Sequence, residues 1–394
     1  MKFVLACIAL SGHLALGTII INRLHSTALP YWCIKLIDFV WLIWHMLAPA
    51  VWLIWFLDAE RLGQVWPLFS PLIYLHLVLC SAAAISLIPG WLKRSITRQI
   101  SPLQLSNDTQ VLDMPKLIGH RPIRSKIIRL VSHLPLNEIM QLHVNEKTLV
   151  VPRLDPSLNG MTITHLSDLH FTGTLTKEFH HEVVRQANAL NSDIIAITGD
   201  LIDKTECMSW LGEILGELKA PHGVYFVLGN HDIRVRNETG VRTALTEKGL
   251  VDLGGKWVQV SFRERSIILA GNELPWFLPA ADMRSCPEVT TNSPLRILLS
   301  HAPDQIKWAK RNQIDLMLAG HTHGGQIQLP ILGPVISPSQ YGVRYASGTF
   351  YEEPTLMHVS RGISGTRHIR FQAPPELSKL VLVRDPKDVA APSH

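Results

Sequence analysis

Cysteine is scarce in this chain, with five in 394 residues, and Cys7, Cys33 and Cys80 fall in apolar stretches, leaving only Cys207 and Cys286 in the remainder. Two thiols so placed leave no disulfide framework of the kind that marks an oxidising compartment, and no thiolate set for a structural zinc site. Charge is missing from one region: the first 92 residues hold four Lys/Arg and three Asp/Glu, against seven of the eleven Trp. Basic surplus is missing from another. Lys93 to Leu130 carries eight Lys/Arg against two Asp/Glu, more than the net +5 of the whole chain, so the rest is not basic. That removes the electrostatic footprint of a nucleic-acid binder. Internal repeats and low-complexity segments are also absent, and only the tail at 386–394 reads as disordered.

The uncharged stretches are Phe3 to Asn22, Phe39 to Leu57 and Val65 to Leu92. Each is long enough for a ~30 Å hydrocarbon core, and the reading is three membrane helices over residues 1–92. For the first, the alternative is a cleaved signal peptide, because a lone Lys2 precedes the apolar run. For the second, Trp41, Trp44, Trp52 and Trp55 suit membrane interfaces. Pro67, Pro71 and Pro89 bound the third, which places its helix at about Leu72 to Ile88. His13, His45 and His76 read as bundle-facing hydrogen-bonding groups. One side of the three spans receives Arg23, Lys35, Lys93, Arg94 and Arg98 and the other only Lys2 and Arg61. The positive-inside rule then makes this a multi-pass inner (cytoplasmic) membrane protein with the region after Lys93 facing the cytoplasm.

Residues 93–137 read as a basic connector. Ile123, Ile127, Leu130, Val131 and Leu134 share a helical face over Arg121 to Leu134, either an amphipathic helix on the membrane or a surface helix packed on the soluble domain. From about Glu138 strands and helices alternate. Strands over 162–167, 193–198, 224–228, 295–299 and 314–319 stop at Asp168, Gly199-Asp200, Gly229, His301 and Gly320; Phe179, Val183, Ala187 and Leu190, and later Met208, Leu211, Leu215 and Leu218, recur at helical spacing.

Collected in order, the strand ends present Asp168 and His170, Asp200 and Asp203, Asn230, His231 and Asp232, His301, then His321 and His323. Imidazole and carboxylate oxygen without thiolate are the donors first-row ions take in hydrolases, where two ions ~3.5–4 Å apart clamp both oxygens of an in-line phosphoryl displacement. Asp168 and His170 alternate about Leu169 and so point to one side of an extended tip.

The set Asp168-Leu169-His170, Gly199-Asp200-Leu201-Ile202-Asp203, Gly229-Asn230-His231-Asp232, Ser300-His301-Ala302-Pro303 and Gly320-His321-Thr322-His323 resembles the signature blocks of the calcineurin-like metallophosphoesterase superfamily. Gly324-Gly325-Gln326, Tyr345-Ala346-Ser347-Gly348, Ser360-Arg361-Gly362 and Arg370 to Glu376 resemble its bacterial membrane-associated branch of phosphodiesterases and UDP-2,3-diacylglucosamine pyrophosphatases. The resemblance implies an α/β fold class, a four-layer α/β/β/α sandwich over residues 138–385 following the three-helix region. It implies two divalent ions per chain, manganese first, with iron, zinc or magnesium as alternatives. The first would be held by Asp168, His170, Asp200 and His323, and the second by Asp200, Asn230, His301 and His321. His231 would protonate the leaving oxygen or contact the phosphate, with Asp203 or Asp232 orienting its ring.

Arg361 and Arg344 are candidates for substrate phosphates. The alternative is that Arg361, Arg367 and Arg370 pair with Glu352 or Glu353. Asp203 could also cap the helix that follows it, a role compatible with its standing beside His231. His180, His181, His222, His358 and His368 read as ordinary surface or core residues, and Glu273 receives no role. The expected activity is hydrolysis of a phosphodiester or pyrophosphate by in-line attack of metal-bound hydroxide, on a lipid-linked or nucleotide-sugar substrate held at the membrane. The alternative is a membrane scaffold or sensor that keeps the fold as a non-catalytic binding module.

Overall fold

The computed structural model describes residues 2–57, 64, 69–96, 101–290, 293–330 and 332–385. They divide into two compact units, Met1–Arg98 with Pro330–Arg344, and Gln99–Leu329 with Tyr345–His394.

In the first unit, α1 (Lys2–Leu24), α2 (Tyr31–Leu57) and α3 (Phe69–Ile96) are long and apolar enough to cross a membrane, with mean hydropathies of 2.2, 1.8 and 2.0 over their candidate spans. Leu42, Met46, Leu53, Leu72, Leu79 and Ile85 are exposed along them, the pattern expected where lipid rather than water is the neighbour. Polar side chains inside these helices find partners close by. Ser11 donates to Cys7 O at 2.8 Å, Thr18 to Leu14 O at 2.9 Å, and Trp55 Nε1 to Ser70 Oγ at 3.0 Å. The third helix overruns its expected limits of 72 and 88 at both ends. Pro71 falls in its first turn, where the missing N–H has no partner to lose, and Pro89 is carried inside the helix. Arg61, Pro67 and the tail at 386–394 lie outside the described residues.

The second unit is built on two sheets. One has seven strands in the order β1 (Gln104–Asp113), β2 (Gln141–Val150), β13 (Glu376–Val383), β3 (Met161–Leu166), β4 (Ile194–Thr198), β5 (Val224–Val227) and β6 (Val251–Asp252). The other has six, in the order β11 (Gly348–Glu352), β12 (Thr355–Val359), β10 (Leu316–Ala319), β9 (Leu295–Ser300), β8 (Arg265–Asn272) and β7 (Trp257–Phe262). Strand alternation sends Ile194 and Ala196 into the core between the sheets, with Ile297, Leu299, Leu316 and Leu318. Ile195 and Ile197 face the other way, onto Phe179, Val183, Leu211 and Leu245 of the covering helices α6 (Lys177–Ala189), α7 (Met208–Ile214) and α8 (Glu238–Thr246). Burial on both faces is why this strand reads as an unbroken apolar run.

β1 corrects the expected connector. It pairs antiparallel with β2 from Gln104↔Leu149 to Asp113↔Gln141, so the sheet-bearing unit starts well before Glu138. The helix expected over 121–134 shrinks to α5 (Lys126–Val131), preceded by the short α4 (Met114–Ile118). Ile123 is taken out of it by an extended bridge to Leu175, Ser125 caps α5 through its Oγ to Ile128 N, and the Leu134-Pro135 step stops it.

Candidate metal centre

β3, β4 and β5 run parallel in the first sheet, as do β8, β9, β10 and β12 in the second. Parallel strands deliver their carboxyl ends to one edge, where the loops after β3, β4, β5, β9 and β10 meet. Backbone bonds lace these loops together: Asp168 N donates to Gly199 O at 3.0 Å and His170 N to Asp200 O at 2.9 Å. Asp168, His170, Asp200, His321 and His323 all sit at positive φ, between 48° and 68°. Five non-glycine residues in the left-handed region, each costing ~1–2 kcal/mol, mark a backbone bent to aim side chains inward. Gly199 and Gly320 close the approach: a Cβ on Gly199 would lie 2.6 Å from His301 Nδ1, and one on Gly320 1.8 Å from Ser167 Oγ.

Donor atoms of Asp168, His170, Asp200 and His323 all lie within 4.8 Å of one another, as do those of Asp200, His301 and His321. In the first group His170 Nε2 and His323 Nε2 are 3.2 Å apart, with Asp168 Oδ1 3.6 Å from His323 Nε2 and Asp200 Oδ2 3.6 Å from His170 Nε2. In the second, His301 Nε2 lies 3.3 Å from Asp200 Oδ1, 3.1 Å from His321 Nδ1 and 3.0 Å from Asn230 Oδ1. Ligands ~2.1 Å from a common ion stand about 3.0–3.4 Å apart, so these spacings fit a pair of cations with Asp200 shared between them. Asp200 Oδ2 is buried with no hydrogen-bond partner among the described residues, an orphaned anionic oxygen that a cation would satisfy. The donors are imidazole, carboxylate and amide without sulfur, the set for manganese, iron, zinc or magnesium.

The calcineurin-like phosphoesterase family model matches residues 161–325, the stretch that supplies every one of these donors. The uncharacterized metallophosphoesterase YkuE of Bacillus subtilis is 30% identical over 245 residues, 61% of this chain and 85% of that protein. The chain belongs to the calcineurin-like phosphoesterases. A transmembrane protein with metallophosphoesterase domain from Danio rerio is 34% identical over 226 residues, covering 54% of this chain and 50% of that protein. The UDP-2,3-diacylglucosamine pyrophosphatase LpxG of Chlamydia muridarum is 26% identical over 305 residues, 62% of this chain and 92% of that protein. With its three apolar helices, the chain is a membrane-associated phosphoester hydrolase of this family.

Behind the phosphoesterase donors stands a ring of orienting contacts. His301 Nδ1–H donates to Thr198 O at 2.7 Å, which leaves the Nε2 lone pair facing the site. Asp203 accepts from two imidazoles, His170 Nδ1 at 2.7 Å and His231 Nδ1 at 2.5 Å, and from Arg234 Nη1 at 2.6 Å. Burial pushes the Asp203 carboxyl up, but His170 and His231 override it and hold the group far below the usual carboxylate range. Asp203 is thus the carboxylate hydrogen-bonded to the His231 ring, and it does not also cap the turn at Thr205–Cys207, whose N-cap is Lys204. Asp232, the other candidate, turns away from the ring. Its Oδ1 accepts from Leu201 N and Ile202 N at 2.9 Å each and its Oδ2 from Gly229 N at 2.7 Å, so it pins the β4 and β5 loops together.

Arg234 and Trp276 escape the sequence reading, and Arg370, expected only in a loop ion pair, proves to back His323. Arg370 is fully buried and donates to Arg361 O, Ala373 O and His323 O at 2.6, 3.2 and 3.1 Å, with Nη2 3.2 Å from His323 Nδ1. Trp276 lays its ring 4.8 Å from that of His321 and 5.3 Å from that of His301. Arg234, three residues past His231, is the one with a visible sequence signal. Arg361 runs its stem beside Gly324, and its Nε lies 3.1 Å from Glu376 Oε2, so its acidic partner is neither Glu352 nor Glu353. Arg344 is exposed and belongs to the unit that holds the membrane helices. Glu273 proves structural, accepting from Leu228 N and pairing with Arg242 Nη2 at 2.6 Å.

Proposed function

We propose that the centre binds two divalent ions, Asp168, His170, Asp200 and His323 holding one and Asp200, Asn230, His301 and His321 the other, and that it hydrolyses a phosphodiester or pyrophosphate. Such a pair, when bound, supplies Lewis acidity toward phosphoryl oxygens and lowers the pKa of a coordinated water toward neutrality. The protein then needs no dedicated base, and its own groups act elsewhere. His231 is 14% exposed, and Asp203 holds its Nδ1 so that Nε2 is left for the substrate oxygen. In the free protein, burial outweighs the nearby carboxylates and lowers its pKa, so the ring is neutral at pH 7. An anionic phosphate beside Nε2 would raise it again, loading the proton that the leaving oxygen needs. Arg234, with Nη2 3.2 Å from His231 Nε2, stands where it can bind a phosphate oxygen.

The observation that carries this reading is the convergence of seven donors from five strand ends about the Asp200 carboxylate. The scaffold alternative loses support from the same fact, since a retained binding module has no need of a complete donor set. The test is purified full-length protein with Mn²⁺ acting on an aryl phosphodiester and on a nucleotide-sugar pyrophosphate; absence of turnover on both, together with His231→Ala indistinguishable from the parent, would refute it.

For substrate class we favour an amphiphile with a lipid part, facing the cytoplasm by the Lys/Arg distribution. Ile127, Leu130, Leu134 and Leu136 are 52% to 74% exposed, in a segment that also carries Arg124, Lys126 and Arg129. That segment borders the site: Arg124 N donates to Thr174 O at 2.9 Å in the loop after His170, and Asn137 Nδ2 to His368 O at 3.1 Å beside Arg370. Exposed apolar side chains in a basic segment suit acyl chains on an anionic headgroup. An acylated nucleotide sugar should turn over faster than its deacylated form, and equal rates would count against a lipid substrate.

A further inference from the structure

Away from the phosphoesterase centre, the membrane unit gathers a second group of metal-ligating side chains. Donor atoms of His13 on α1 and of His76 and Cys80 on α3 all lie within 4.8 Å of one another. His13 is 2% exposed and Cys80 fully buried. His76 and Cys80 are four residues apart, one above the other on a single helix face. His45 of α2 backs the group, its Nδ1 2.8 Å from His13 Nε2; when His13 donates that bond through Nε2, its Nδ1 remains the lone-pair donor. Trp52 closes the cluster with ring centroids 5.6 Å from His13 and 5.2 Å from His76.

Helix packing is shaped to bring these groups together. A Cβ on Gly12 would lie 1.7 Å from Cys80 O, and one on Gly17 2.0 Å from His45 Nε2, so glycine is what lets α1 approach both partners. Hydrogen bonding alone does not explain the arrangement, because His76 makes no hydrogen bond among the described residues and yet turns toward His13 and Cys80. Polar groups set inside an apolar bundle are expensive unless they are used.

We propose that His13, His76 and Cys80 form a binding site for a monovalent copper ion inside the membrane-spanning bundle. Thiolate and imidazole are the soft and borderline donors that Cu⁺ takes. Charge balance makes the choice. One thiolate, two neutral imidazoles and a monovalent ion sum to zero, whereas a divalent ion would leave a net positive charge among apolar side chains. Binding displaces the Cys80 thiol proton to solvent. Three donors ~2.1 Å from one ion stand about 3.6 Å apart, so side-chain rotations close the remaining distance. The site is independent of the phosphoesterase reading and stands if that reading fails.

The test is full-length protein in detergent, titrated anaerobically with Cu⁺ against bathocuproine disulfonate and examined by copper K-edge absorption. A single equivalent with both sulfur and nitrogen scatterers is expected. Affinity should fall at least about 100-fold in Cys80→Ser and in His76→Asn, and about tenfold in His45→Asn, where only the outer contact is lost. Asp200→Asn, which disables the other centre, should leave copper binding unchanged. In the unaltered protein, Cu⁺ should raise an ultraviolet thiolate-to-copper charge-transfer band that saturates at one equivalent, a readout that does not depend on a variant folding. Absence of that band, parental affinity in the Cys80→Ser/His76→Asn double variant, or tighter binding of Zn²⁺ than of Cu⁺ would overturn the proposal.

Discussion

Asp203 is where two jobs meet, since one carboxylate fixes both His170, a proposed metal ligand, and His231, the proposed acid. An amide in its place can accept only through one oxygen and turns a donor toward one of the two imidazole N–H groups. Asp203→Asn should therefore cut kcat by about 10²–10⁴ and weaken Mn²⁺ binding by roughly 10–100-fold, checked by phosphodiesterase kinetics and metal titration. Asp232→Asn separates stability from chemistry. Its carboxylate receives three backbone N–H groups, and losing one of those bonds should cost about 1–3 kcal/mol in thermal unfolding while kcat at saturating Mn²⁺ changes far less. The sequence showed both aspartates next to metal-binding motifs and could not rank them, because the distinction lies in which way each side chain points.

Between the elements of the sandwich runs a buried polar chain. Lys147 on β2 pairs at 2.5 Å with Glu376 on β13 and reaches His358 on β12 at 2.9 Å; His358 meets His165 on β3 at 2.9 Å, and His165 meets Thr198 Oγ1 on β4 at 2.9 Å. The Thr198 carbonyl is the group that orients His301. Lys147 and Glu376 are 7% and 3% exposed in their side chains, so Glu376→Gln leaves a buried ammonium without its counter-charge and should destabilise by about 3–5 kcal/mol. Lys147→Met with Glu376→Leu should cost less than that single change, which a double-mutant cycle in denaturant would measure. On α6, His180 is fully buried against Phe171 and Phe179, with neither ring nitrogen hydrogen-bonded among the described residues. Burial pushes its pKa from 6.5 down to about 3. The unfolded chain thus takes up the proton first, so this residue's contribution to stability is complete above pH 6.5 and is lost as pH falls toward 3. His180→Phe should flatten the fall in melting temperature between those values.

At the scale of the whole molecule, the donors clustered about Asp200 would make binding of the proposed ions part of folding. Chelation with EDTA should lower the melting temperature of the phosphoesterase unit, and Mn²⁺ at a hundredfold its Kd should restore about 2.7 kcal/mol; an unchanged melting curve would exclude coordination by these buried groups. A reporter fused at His394 that is active only in the cytoplasm would support the orientation drawn from Lys/Arg placement, and activity only outside would reverse it.

Local pattern was enough to read three apolar helices, the five strands whose ends meet about Asp200 and the side chains those ends carry, because these depend on hydrophobic period and on residues standing where apolar runs stop. It was not enough for β1, whose Gln104–Asp113 sequence is a polar edge strand with little buried face, nor for the 121–134 segment, where Ile123 is held by a bridge to a residue more than fifty positions away. Arg370 beneath His323, Asp203 rather than Asp232 behind His231, and the meeting of His13, His76 and Cys80 are likewise long-range matters. Each joins residues whose separation in the chain says nothing of their separation in space, and only the pairing of strands and the close approach of helices at Gly12 and Gly17 brings them into contact.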